Sequence, residues 1–458
     1  MTLFTNSNRS TRNLRLQRGA TTLVVSLILL FGMTLVAFFA NRSMLFEQKT
    51  SANQLRSTAA LEAAEAGIEW ATSMLNDVRY INTSCTTTGT NPGSFRTKYL
   101  PYSAASGFAP VSPAVPSSPK QPQPQIGCSM SATTPGTPPA LSCSCPAGSS
   151  APNHSSTTNP TFTLRFDPNP TLLPDGSTDK ESVLVTAFGC TAADTLCVPK
   201  STDSLDPKNT ADAYQKISVI LKLRPAVRAV PAAAITTGGS LKLTSAASEV
   251  SNIDPGSNGI LVNAGGGINN TAVTGCGGAF KDFKTTSTLP GTPWQNSMIA
   301  NDASLSSLSA DPDAMFKSYF GTTIDLFKSD VSTKILGNCG NVTTDYASAF
   351  AQGYRSFYTT CYFDANSNLG SPTDPVIFVT TNGLKFNGGE KIYGLVYGDQ
   401  ATWDQVGLGN GEINGALIVR GNYCANANAN YNYDADALKK IRGTTGSMVR
   451  VPGSWKDF

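Results

Sequence analysis

Hydrophobic and polar positions change texture several times along the chain. From Ala20 to Ala40 it runs 21 residues without a charge, mostly Leu, Val, Ile, Phe and Ala. As a helix that run is roughly 31 Å long, enough to cross a hydrocarbon core of about 30 Å. A core helix of a soluble protein keeps a polar stripe, and this run offers only Thr and Ser. Further on, Leu61, Ala64, Ile68, Ala71, Leu75 and Val78 recur at alternating steps of three and four, which predicts one apolar seam. Glu62, Glu65 and Glu69 fall on another face. No proline occurs before Pro92, so the spacing predicts one helix over 20–80, about 60 residues or roughly 90 Å. Gly32 and Gly67 interrupt it at about 1 kcal/mol each. Its last turns suit packing on the chain's own domain, and its apolar first half, membrane-spanning over 20–40, suits packing among similar helices.

Residues 81–160 read as a Pro/Ser/Thr-rich loop carrying cysteines. Eleven of the 28 prolines lie between Pro110 and Pro152, and Pro110, Pro113, Pro116, Pro119 and Pro122 keep a spacing of three, one face of a polyproline II helix. A surface excursion is the expectation there. Alternation starts at Thr161: Phe162, Leu164 and Phe166, then Val183, Val185 and Ala187, then Ile217, Val219, Leu221 and Leu223. Those strands, laid antiparallel on the amphipathic helix, predict an α+β head over 161–230, closed by Pro225 and Pro231. From 231 to 458 short apolar strands alternate with Gly and Asn, as in Pro375-Val376-Ile377-Phe378-Val379 and Ile413-Asn414-Gly415-Ala416-Leu417-Ile418-Val419. This texture predicts a β-rich domain, solenoid-like or a sandwich, although no fixed period survives counting. A helical insertion is expected at about 294–358, with Asp311-Pro312 as its N-cap and first-turn proline and Gly321 as its stop.

Charge gives the apolar run a direction. Arg9, Arg12, Arg15 and Arg18 precede it and no acid appears before Glu47, so the N-terminus is expected in the cytoplasm and everything past about Ala40 outside the inner membrane. Only 14% of residues are charged and the net charge is +3, which leaves no nucleic-acid footprint. The ten cysteines, Cys85, Cys128, Cys143, Cys145, Cys190, Cys197, Cys276, Cys339, Cys361 and Cys424, all lie on the side expected to be oxidising, where disulfides are the natural state. Their pairing is not readable from spacing, though Cys190 and Cys197 bracket a short loop they are able to close. Zinc fits poorly, because His154 is the one histidine and Cys143-Ser144-Cys145 lacks a two-residue gap.

The segment Gln17-Arg18-Gly19-Ala20, followed by Thr21-Thr22-Leu23-Val24-Val25, resembles the class III leader of type IV pilins. Leu61-Glu62-Ala63-Ala64-Glu65-Ala66-Gly67-Ile68-Glu69 is similar to the Ala-Ala-Glu segment of PilX-type minor pilins. The resemblance covers about the first 80 residues. It implies a leader at 1–19, cut by a prepilin peptidase after Gly19, and methylation of the new N-terminus at Ala20. It further implies assembly with the major pilin, other minor pilins and a tip adhesin. Major pilins carry a glutamate five residues into the mature chain, where this sequence has Val24. That departure argues for a minor pilin that primes or caps the filament.

No catalytic constellation is visible, so no enzyme activity, cofactor or metal is expected. A Ser-His-Asp or Cys-His site would depend on His154 alone. Asp399 and Asp404 lie near strand ends, Gly265-Gly266-Gly267 and Gly277-Gly278 lack the lysine of a phosphate loop, and Asn432, Asp434 and Asp436 lack the glycine and glutamate of a calcium loop. Two classes of function compete. The first is a minor pilin of a type IV pilus, or a tip pseudopilin of a secretion system. The second is a membrane-anchored periplasmic β-solenoid enzyme or carbohydrate binder.

Overall fold

The computed structural model describes residues 17–89, 93–111, 125–130, 140–147, 150, 152, 159–171, 173–191, 197, 213–268, 283–285, 294–386, 388–400, 402–405, 411–425 and 428–457. At 17–20, 294 and 402–405 the description covers the main chain only. The prolines at 113, 116, 119 and 122, together with His154, Cys276, Gly277 and Gly278, lie outside the described residues. The protein is a mixed α+β chain in which one long apolar helix precedes a large β-rich region.

Helix α1 spans Gln17–Asn76. The chain divides into two compact units between Ala59 and Ala60. In the first, the side chains from Leu23 to Phe46 are exposed, with Leu30 and Phe38 about two-thirds so. In the second, the end of α1 is the spine of the head. Ala64, Ile68, Ala71 and Leu75 are fully buried against Phe162, Leu164, Val183, Val185, Ile217 and Val219. Burying each large aliphatic side chain stabilises the head by about 1.5–3 kcal/mol. The fit depends on Gly189, whose Cβ, if it had one, would stand 2.0 Å from the Ala60 carbonyl oxygen.

The head sheet is antiparallel. In spatial order its strands are Gly446–Arg450, Tyr214–Pro225, Ser182–Cys190, Thr161–Pro168, Ile126–Met130 and Leu141–Ser144. Three of them follow the alternation of the sequence, since one face packs on α1. Helix Phe95–Tyr99 and the strand pair Tyr102–Ser103 and Gly107–Phe108 lie inside 81–160 and correct the expectation of a loop, as do two strands of this sheet, Ile126–Met130 and Leu141–Ser144. Gly127, Ser129 and Ser142 break any apolar rhythm there, and Cys128–Cys143 pins the pair together. The outermost strand, Gly446–Arg450, returns from the far end of the sequence to pair with Leu221–Pro225.

The rest is a parallel stack, solenoid-like and not a sandwich. Its main sheet runs Met298–Ile299, Val262–Ala264, Ile235–Thr237, Glu412–Val419, Lys391–Gly398, Val376–Thr380, Ser356–Thr359 and Thr333–Leu336. The chain thus enters mid-stack, winds outward for two coils, crosses to the other end and winds back. Short helices Ala303–Ser309, Pro312–Phe320 and Ile324–Ser329 make that crossing. Asp311 accepts from the Asp313 amide, Pro312 takes the first turn, and Gly321 ends the helix at φ 69°. The region expected as a helical insertion therefore also contains three strands of the stack, Met298–Ile299, Thr333–Leu336 and Ser356–Thr359.

The inner strands of this sheet, such as Val376–Thr380 and Ser356–Thr359, are covered on both faces, which is why runs like Val376–Val379 read as unbroken apolar stretches. Phe357, Phe378, Val396 and Leu417 face the inner core. Ile377, Val379, Leu395, Tyr397 and Ile418 pack with Phe316, Phe320, Leu438 and Ile441 on the other side. Gly394 (φ 132°) and Gly415 (φ 143°) stand in register, and a Cβ on Gly415 would lie 1.8 Å from the Gly394 carbonyl oxygen. Only glycine lets successive coils turn and stack that closely.

Candidate functional site

The candidate positions begin on α1. Gly19 and Ala20 lie in its first turns, where the main chain alone is described. Val24 is 54% exposed and sits in the apolar run. The helix is long and apolar enough to cross a membrane by length and composition. Past Ala60 the seam splits by face, as helical geometry requires. Ala60, Ala63, Ala64, Gly67, Ile68, Ala71 and Leu75 are buried, Leu61 is half-buried, and Glu62, Glu65 and Glu69 are exposed. Glu69 meets Arg450 at 2.5 Å. Val78 is half-buried and lies past the last helical residue.

The cysteines staple the body after α1. Cys85–Cys145 ties the segment after α1 to the loop behind the last head strand, and Cys190–Cys197 closes its loop. Cys339–Cys361 binds the first two coils of the returning stack, and Cys424 is also disulfide-bonded.

A residue with no signal in the sequence joins the parts of this body. Arg96 is 5% exposed. Its guanidinium donates to the carbonyls of Leu75 (2.8 Å), Thr444 (3.2 Å) and Gly446 (2.8 Å). These lie at the end of α1, the end of helix Ala435–Thr444 and the start of the returning strand. Burial lowers its pKa from 12.5 to about 10, partly offset by the charge of Asp330. Asn76 adds to the same joint, donating to the Met448 carbonyl and accepting from the Met448 amide. Nearby, Arg355 forks onto Asp374 and donates to the Tyr80 hydroxyl at 2.7 Å. These groups line a cleft of about 350 Å³.

The acidic positions singled out in the sequence have structural partners. Asp399 accepts from Arg420 one coil away at 2.8 Å, and burial raises its pKa. Asn432 donates to Glu412 and Asn414, and Asp434 caps helix Ala435–Thr444. The side chain of Asp404 lies outside the described residues. Among the described residues no group of three His, Cys, Asp or Glu side chains is placed to hold a metal ion.

A membrane-length apolar helix leads into an α+β head stapled by disulfides. Residues 18–69 match the family model described as PilX N-terminal. No curated protein matches the chain. Among solved structures it aligns with the crystal structure of competence-associated pilin ComZ from Thermus thermophilus at 10% identity, over 88% of this chain and 97% of that one. The TM-score of that alignment is 0.21, too low to support an argument about fold.

Proposed function

We propose that the protein is a structural minor pilin that primes or caps a type IV pilus, at or near its tip. The observation that carries this reading is the PilX-type segment at 18–69, in which the fifth mature position is Val24. A subunit that inserts beneath another needs a carboxylate near its N-terminus to meet the neighbour's charged amine. An unpaired amine among apolar helices costs several kcal/mol. A subunit that enters first has no neighbour above and needs no such group. In this reading a prepilin peptidase cuts after Gly19, Ala20 is methylated, and the chain waits as a single-pass inner-membrane protein with its bulk in the periplasm. It then joins other minor pilins and the major pilin and presents its solenoid on the cell surface beside a tip adhesin. The same reading makes it a non-enzyme. Mass spectrometry of the mature N-terminus, combined with immunogold labelling of sheared pili, tests it. A methylated Ala20 with label at filament ends is expected. An uncut chain, or label spread evenly along the shaft, defeats it.

A further inference from the structure

Two surfaces of opposite charge stand at opposite ends of the head. At one end, Glu62 and Glu65 project from α1 one turn apart, exposed, and neither has an ion-pair partner among the described residues. They lie on the exposed face of the same turns whose buried Ala60 and Ala64 pack on Gly189, and Gly189 pairs with Gln215. At the other end of the strand Tyr214–Pro225 is a groove of about 470 Å³, where Arg224 and Arg228 meet Gly321, Phe320 and Arg442. Nine residues of strand, about 30 Å, separate Gln215 from Arg224. Lys222 and Arg442 are already matched, at 2.8 Å by Asp179 and 3.4 Å by Glu181. Arg224 and Arg228 are exposed and have no acidic partner among the described residues. The aliphatic stem of Arg228 lies over Gly321, which ends helix Pro312–Phe320, and its main-chain amide donates to the Tyr319 carbonyl at 2.8 Å.

From this we infer that the groove at Arg224 and Arg228 takes the Glu62–Glu65 face of a second copy of this chain, so that copies stack head to tail. The charges match two for two. Because the two surfaces differ and lie at opposite ends, the contact is heterologous, and each copy keeps one free surface after the contact forms. The inference stands whether or not the chain enters a pilus, since it concerns the isolated protein.

The test uses the full chain in detergent micelles, followed by sedimentation velocity at low ionic strength. Wild type is expected to self-associate, and to do so less as salt rises. The variant R224E/R228E and the variant E62K/E65K should each weaken association at least about tenfold. Mixed one to one, they should associate again, because the acidic face of the first then meets the basic groove of the second. That recovery excludes misfolding as the cause of the loss. A monomeric wild type overturns the inference, as do reversal variants that associate like wild type, or a mixture that fails to recover.

Discussion

Replacing Arg96 with methionine tests whether one buried cation holds the head to the end of the chain. The guanidinium makes three hydrogen bonds to main-chain carbonyls. Bonds to a charged donor contribute about 1.5–3 kcal/mol each, roughly 5–9 together. Against this stands the cost of burying the charge, read from a pKa lowered from 12.5 to about 10. That shift corresponds to roughly 3 kcal/mol. The bonds win, and Arg96→Met should lose about 2–6 kcal/mol. Methionine keeps most of the side-chain volume, so the loss reports on the bonds more than on a cavity. Arg96→Lys keeps the charge but lacks the fork that spans three carbonyls, and should recover only part of the loss. Urea unfolding of the full chain in micelles measures the difference. Hydrogen exchange at the Met448 amide, which bonds Asn76, should quicken before the solenoid amides do. An Arg96→Met chain within about 0.5 kcal/mol of wild type would refute the reasoning, since it would mean desolvation cancels the bonds.

Two other substitutions probe the head. Gly189→Leu places carbon where the Ala60 carbonyl stands 2.0 Å from the Cβ position, so α1 must lift from the sheet. The expected cost is at least about 2–3 kcal/mol by urea titration, and a wild-type midpoint would show that the helix does not seat there. Removing Cys85–Cys145, which spans 60 residues, should cost roughly 4 kcal/mol in the chain-entropy picture. A double Cys→Ser chain with unchanged stability would show that the reduced chain is already held in that region.

Local pattern was legible wherever one face of an element is buried and the other is wet. The α1 seam and the strands Thr161–Pro168, Ser182–Cys190 and Tyr214–Pro225 obey that condition, and their periods gave them away. The stack does not. Its inner strands are buried on both faces, so Val376–Thr380 shows no alternation. Its coil steps also vary, from Ser356 to Ile377, Leu395 and Ala416 by 21, 18 and 21 residues, and spatial order departs from chain order. Periodicity therefore had nothing constant to report. Arg96 was invisible for another reason. In the sequence it is one arginine in a loop-like stretch, and its role exists only because carbonyls 21, 348 and 350 residues away converge on it. Arg224 and Arg228 carry no motif in the sequence, and only the fold puts them in one groove.

The return of Gly446–Arg450 to the head has a modular consequence. Pro225 and Gly446 are direct antiparallel neighbours, so the two strands form a hairpin whose connecting turn is the whole stack. The head meets the stack at adjacent points, and a short turn of suitable residues at that place would satisfy the same two strands. A body attached in this way is an insertion. It can be lengthened, shortened or exchanged coil by coil while the α1-bearing head keeps its sheet order. Because both of its chain ends are fastened to neighbouring strands, a load on the stack has no loose end from which to unwind it.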